Sequence, residues 1–105
     1  MKEMTVQELK ALRESGKPHQ LIDVREQHEY DRANLGGELI PMGHILSKTQ
    51  AIKRDCPVVV HCRSGKRSAG AIQALEGQFG YDNLYNLKGG ILAWKEAFDQ
   101  SLDAE

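Results

Sequence analysis

The stretch Pro57-Val58-Val59-Val60-His61-Cys62-Arg63-Ser64-Gly65-Lys66-Arg67-Ser68 decides how this chain is read. Its valines form an apolar, β-branched run of strand length, bounded by a proline before and a polar loop after. The loop opens on a cysteine, carries three cations and one glycine, and feeds a segment of helical period. No Asp or Glu occurs between Cys56 and Leu75, although the whole chain has a formal net charge of −1. A local positive field therefore stands on a slightly acidic background. The thiolate is the reactive form of cysteine, and cations together with a helix N-terminus lower its pKa. Cys62 is accordingly a candidate nucleophile, and the field around it suits an anionic substrate.

The same alternation of strand-length and helix-length segments extends in both directions. After the loop, a helix is expected from about Ser68 to Phe79, with Ile72, Leu75 and Phe79 on one face and Gly80 ending it. Asn83 to Leu87 reads as the last strand, Gly89-Gly90 as a tight turn, and Ile91, Trp94 and Phe98 as the apolar stripe of a closing helix. Toward the N-terminus, Leu39-Ile40 reads as a short strand and His44 to Ile52 as a helix. Leu21-Ile22-Asp23-Val24 reads as a buried strand, with a short helix from about Gln27 to Ala33 ending at Asn34 or Gly36. Thr5 and Glu8 make a capping box, after which Val6, Leu9 and Leu12 recur at helical spacing until Gly16 and Pro18. The pattern implies an α/β domain with a mostly parallel sheet. Cys62 then falls at the carboxyl end of a central strand, where open α/β sheets bind ligands. Loop N–H groups and the helix start form an anion-holding concavity there. Gly65 permits the backbone angles of such a cradle, and Ser68 can cap the helix or donate inward.

Composition narrows the function classes. At 105 residues the chain is sized for one domain, taken here as 1–105. Its 40% hydrophobic and 28% charged content is that of an ordinary globular protein. A net charge of −1 gives no general basic footprint for nucleic acid, and the apolar runs are too short to span a membrane. Met1-Lys2-Glu3-Met4-Thr5 lacks the apolar core of a signal peptide, so a cytoplasmic, reducing compartment is expected. Cys56 and Cys62 are six positions apart. On a strand that is roughly 20 Å, well beyond the Cα separation a disulfide tolerates. The four histidines and two cysteines form no metal-ligand spacing. Cys56 reads as a half-buried small residue. His61 should point away from Cys62, since neighbours on a strand face opposite sides, and is assigned a structural role. Asp23 and Arg25 are expected to tie the sheet end together, and Trp94 to anchor the core.

The motifs together resemble the rhodanese-like sulfurtransferases. Cys62-Arg63-Ser64-Gly65-Lys66-Arg67 is similar to the family's active-site loop, C-R-x-G-x-R/T. Leu21-Ile22-Asp23-Val24-Arg25-Glu26 with Glu29-Tyr30 resembles its early strand-and-helix motif. Asn86-Leu87-Lys88-Gly89-Gly90-Ile91 with Trp94 resembles its closing motif. The likeness runs from about Thr5 to Phe98. One stretch departs from the pattern: Asn34-Leu35-Gly36-Gly37-Glu38-Leu39-Ile40-Pro41-Met42-Gly43 replaces the frequent Gly-His-Ile-Pro-Gly-Ala. That variant resembles rhodanese domains attached to enzymes that activate ubiquitin-like sulfur carriers.

The resemblance implies a small, mostly parallel sheet of about five strands with helices on both faces. It also implies a sulfurtransferase in which Cys62 takes a sulfane sulfur from thiosulfate or another persulfide donor. The persulfide then passes that sulfur to a thiophilic acceptor: cyanide in vitro, a thiol or carrier protein in vivo. Arg63, Ser64, Gly65, Lys66, Arg67 and Ser68 are the expected substrate-binding residues, with Lys66 the loop cation nearest to a merely solvated charge. No metal or organic cofactor is required. Two alternatives use the same cysteine. One is a sulfur relay that works only with a partner protein, for which the positive rim suits an acidic carrier. The other is a cysteine phosphatase or arsenate reductase. Those enzymes use C-x5-R, whereas here Cys62-x4-Arg67 places Ser68 where the arginine would stand.

Overall fold

A computed structural model of the chain describes residues 1–104. The valine run is the middle strand of its sheet. Val58, Val59 and Val60 are all fully buried, and the alternation of a strand divides them between two cores. Val58, Val60 and Cys62 join Ile22, Val24, Ile72 and Leu75 on one face. Val59 joins Val6, Leu9, Leu87 and Ile91 on the other. A strand covered on both sides explains why the run is apolar throughout and does not alternate.

Five strands, β1 (Lys2–Met4), β2 (Gln20–Asp23), β3 (Glu38–Leu39), β4 (Val58–His61) and β5 (Leu84–Leu87), form a wholly parallel sheet in the order β1-β5-β4-β2-β3. Helix α1 (Val6–Ser15) and helix α4 (Gly90–Phe98) pack on one face, and α3 (Lys66–Phe79) on the other. A short α2 (Gln27–Arg32) follows β2. The connection after β2 leads outward to β3, whereas the connection after β4 leads the opposite way to β5. The carboxyl ends of β2 and β4 therefore flank a switch point, the usual place for a ligand crevice in such sheets. Cys62 follows β4 directly.

Most expected elements are present, with three corrections. The Thr5–Glu8 capping box forms in full, and α1 ends at Gly16 in the left-handed region. The strand Lys2–Met4 was not expected; it is an edge strand held by register with Tyr85 to Leu87 of β5. The helix expected over His44 to Ile52 is instead two 3₁₀ segments, Met42–Ser47 and Thr49–Ala51. Only Ile45 and Ile52 of that region are buried, so too few anchors exist to hold a continuous α-helical face. Third, α3 begins at Lys66, two residues before the expected start, with Gly65 as its N-cap at φ +106°.

Glycine placement separates tolerance from constraint. At Gly77, inside α3, an added Cβ would meet nothing within 4 Å. At Gly90, with φ +62°, it would lie 2.4 Å from the Arg63 carbonyl oxygen and 2.6 Å from that of Cys62. Gly77→Ala is therefore expected to stabilise the fold by about 0.5–1 kcal/mol in urea unfolding. Gly90→Ala should cost roughly 2–4 kcal/mol, because backbone rather than a flexible side chain must move. Equal effects from the two substitutions would refute this account of the α4 turn.

Candidate active site

The loop after β4 is held by two helix starts. On one side, α3 opens with amides that lack intrahelical acceptors. The Ser68 N–H reaches the Cys62 Sγ at 3.5 Å, and the Gly65 N–H reaches it at 3.1 Å. On the other side, α4 comes up beneath the loop. The Ile91 N–H donates to the Cys62 carbonyl at 3.0 Å and the Leu92 N–H to that of Arg63 at 3.2 Å. Gly90 makes that approach possible, since any Cβ there would occupy the space of those carbonyls.

A third clamp comes from Asn86 on β5. Its Nδ2 donates to the Gly65 carbonyl at 3.1 Å, which turns its Oδ1 toward Ser68. The Ser68 hydroxyl donates to that oxygen at 2.6 Å and lies 3.4 Å from Sγ. Asn86 belongs to the closing motif, which by itself assigns it no role. A buried amide inside a strand was the available signal, because such a group needs partners.

Cys62 is 1% exposed. Burial pushes its thiol up, but hydrogen bonding with the Ser68 side chain and from the N–H groups of Ser68, Gly65 and Ser64 outweighs it, and the net shift is downward. The sulfur is thus shielded and yet biased toward thiolate. Cys56 is a second free thiol, half-buried and separate from this loop.

The loop cations differ in their surroundings. Arg63 and Lys66 are exposed. Arg67 forms a bidentate pair with Glu29 of α2, at 2.7 and 2.8 Å. The Arg67 guanidinium pulls the Glu29 carboxyl down to about 2, and Glu29 in turn raises Arg67. Of the six residues expected to bind substrate, Ser64, Gly65 and Ser68 line the sulfur, Arg63 and Lys66 stand on the rim, and Arg67 is tied to Glu29. No feature of the sequence singled out Glu29 as that partner, since 38 residues separate the two.

His61 lies on the opposite face from Cys62, beside its register partner Asp23. Its Nδ1 is 3.3 Å from the Cys62 carbonyl oxygen, and its Nε2 is 3.5 Å from the Asp23 carboxylate without a well-aligned hydrogen bond. Burial pushes the imidazole pKa down, only partly offset by Asp23, so the ring is neutral at neutral pH. Arg25 grips Asp23 through its Nε and Nη2, the latter at 2.8 Å, and donates to the Ala33 carbonyl as well. Asp23, Arg25 and His61 thus hold together the ends of β2 and β4. Among the described residues no group of three or more His, Cys, Asp or Glu is placed to hold a metal, and no helix is long and apolar enough to cross a membrane.

Residues 5–97 match the model of the rhodanese-like domain. The chain belongs to the rhodanese-like family. A sulfurtransferase of Allochromatium vinosum is 40% identical over 75 residues, which cover 70% of this chain and 69% of that protein. The probable adenylyltransferase/sulfurtransferase MoeZ of Mycobacterium tuberculosis is 37% identical over 94 residues, covering 87% of this chain but only 24% of MoeZ. The rhodanese-like domain protein of Staphylococcus aureus superposes with a TM-score of 0.83 at 32% identity, covering 100% of this chain and 99% of that one. The rhodanese domain is thus a quarter of some relatives and most of others.

The cradle's effect on the thiol is measurable in a Cys56→Ser background. Alkylation of Cys62 by iodoacetamide, followed against pH, should titrate below the ordinary range of a free cysteine. Ser68→Ala should move that midpoint upward and slow the reaction at pH 7. A midpoint unmoved by Ser68→Ala would assign the shift to the backbone N–H groups alone.

Proposed function

We propose that the protein is a sulfurtransferase that carries a sulfane sulfur on Cys62. The observation that supports it most directly is a shielded sulfur surrounded by N–H donors at the start of α3, with cations on the rim. The Cys62 thiolate attacks the outer sulfur of thiosulfate or a persulfide donor. With thiosulfate, a new S–S bond forms to Cys62, the donor's S–S bond breaks, and sulfite departs with the electron pair. The Cys62 persulfide is an anion at its terminal sulfur, and the loop amides are the donors that stabilise it. A thiophile then takes that sulfur: cyanide leaves as thiocyanate and the thiolate returns. Arg63 and Lys66 draw in the anionic donor and offset the charge on the departing sulfite, while Arg67 stays paired with Glu29. The chemistry fits a reducing, cytoplasmic setting, where thiols are available as acceptors.

A partner-fed relay is the second reading, favoured by the relatives in which this domain is a quarter of a longer adenylyltransferase/sulfurtransferase. The exposed Arg63 and Lys66 beside Cys62 suit an acidic carrier protein or its terminal carboxylate. The phosphatase reading is weaker, because Arg67, the arginine closest in sequence to the required position, is already bound by both carboxylate oxygens of Glu29.

Intact mass separates these readings. After thiosulfate, wild type should gain one sulfur atom and Cys62→Ser none, and cyanide should remove the gain as thiocyanate. A gain only after incubation with a cysteine-persulfide protein would favour the relay. Turnover of a phenyl phosphate with no sulfur gained from either donor would overturn sulfur transfer.

A further inference from the structure

Among the described residues, Glu29 is the acidic residue that hydrogen-bonds a cation of the loop. Its carboxylate is fixed on two sides: Oε1 accepts the Glu26 N–H at 3.0 Å, while both oxygens take the Arg67 fork. Glu29 is about a fifth exposed and Arg67 about a third, so the pair stands at the edge of the site and is not sealed within it. Arg67 also lies within electrostatic reach of Cys62. The consequence is a charge count. Among the described residues, the loop presents two exposed cations, Arg63 and Lys66, plus the Arg67–Glu29 pair, with Glu26 acting on Arg67 from farther off. Were Glu29 uncharged, three cations would face the donor, and Arg67 would have its planar fork open to a doubly charged oxyanion.

We propose that Glu29 is a specificity-determining residue that sets the donor charge this loop accepts, favouring singly charged sulfur donors over dianions. The inference rests on the sulfur-transfer reading above. Singly charged donors of the relevant class carry an anionic outer sulfur on an organic group, as do alkanethiosulfonates and organic persulfides. Methanethiosulfonate differs from thiosulfate by a methyl group in place of one oxyanion. With either donor Cys62 gains the outer sulfur, and the leaving group is methanesulfinate in one case and sulfite in the other. Charge balances in both, and no oxidant is needed.

The experiment measures kcat/KM for thiosulfate and for methanethiosulfonate, with cyanide as acceptor, and follows their ratio. Glu29→Gln should raise the thiosulfate-to-methanethiosulfonate ratio about fivefold, mostly through KM, as expected for one added charge at partly screened distance. Arg67→Gln leaves Glu29 as a bare anion and should lower the ratio by a similar factor. The double variant restores a neutral pair, and its ratio should return near that of wild type. A purely mechanical role for the pair would slow both donors together and leave the ratio unchanged, which would overturn the inference. A double variant with a ratio as low as that of Arg67→Gln would also overturn it, showing that Arg67 binds the dianion directly despite Glu29. If Glu29→Gln does not fold, the comparison of Arg67→Gln with the double variant is replaced by Arg67→Gln against wild type, where an unchanged ratio has the same meaning. Failure of wild type to take sulfur from either small donor would overturn the inference, and failure with a cysteine-persulfide protein as well would overturn sulfur transfer itself.

Discussion

The site depends on a missing side chain. Because Gly90 has no Cβ, α4 can set its first amides against the carbonyls of Cys62 and Arg63. Those bonds fix the loop from below, while α3 fixes it from above through the Ser68 and Gly65 amides at Sγ. Two helix N-termini therefore converge on one short loop. Each carries a partial positive charge from its aligned peptide dipoles, and neither can rotate away as a side chain can. The field at Cys62 is built into the backbone, and the sheet supplies the rigidity that holds it there.

This arrangement changes the weight of the side-chain cations. Mobile lysine and arginine side chains on a surface rim are screened by solvent and salt. The backbone donors lie inside the protein and bond the sulfur directly. The cations are better placed to select and guide what arrives than to hold the thiolate. Arg67, committed to Glu29, adds an orienting tie between α2 and α3 across the switch point of the sheet. Asn86 does the same from β5 by holding both Gly65 and Ser68.

The parts of this design that were legible in the sequence are those that depend on local pattern. Val58 to Val60 is apolar without interruption, as a doubly covered strand must be, and Thr5 with Glu8 spells its cap in four residues. The parts that were not legible depend on distant partners. Lys2–Met4 is a strand only because β5 offers it a ladder. Ile45 and Ile52, seven residues apart, imitate a helical repeat although the chain between them runs in 3₁₀ turns. The early start of α3 was hidden for an electrostatic reason: Lys66 and Arg67 occupy a first turn, where cations oppose the helix dipole. Glu29 offsets part of that cost at Arg67, and it comes from a different helix. Six loop residues were picked out as the site, and the fold brings all six to the end of β4. Their division between sulfur cradle, rim and ion pair required the tertiary structure.

The strand alternation that divides the core also divides the chemistry. Cys62 faces α3, whereas His61 faces Asp23 on the other side, buried and neutral. The imidazole next in sequence to Cys62 is therefore not aimed at its sulfur as a general base. Enzymes that activate a nucleophile through an adjacent base need the two within hydrogen-bond reach. Here a fixed set of donors lowers the thiol pKa in advance, without a neighbouring base. Such a site suits sulfur exchange, in which one anion on sulfur replaces another and no proton need be moved as the S–S bond changes hands.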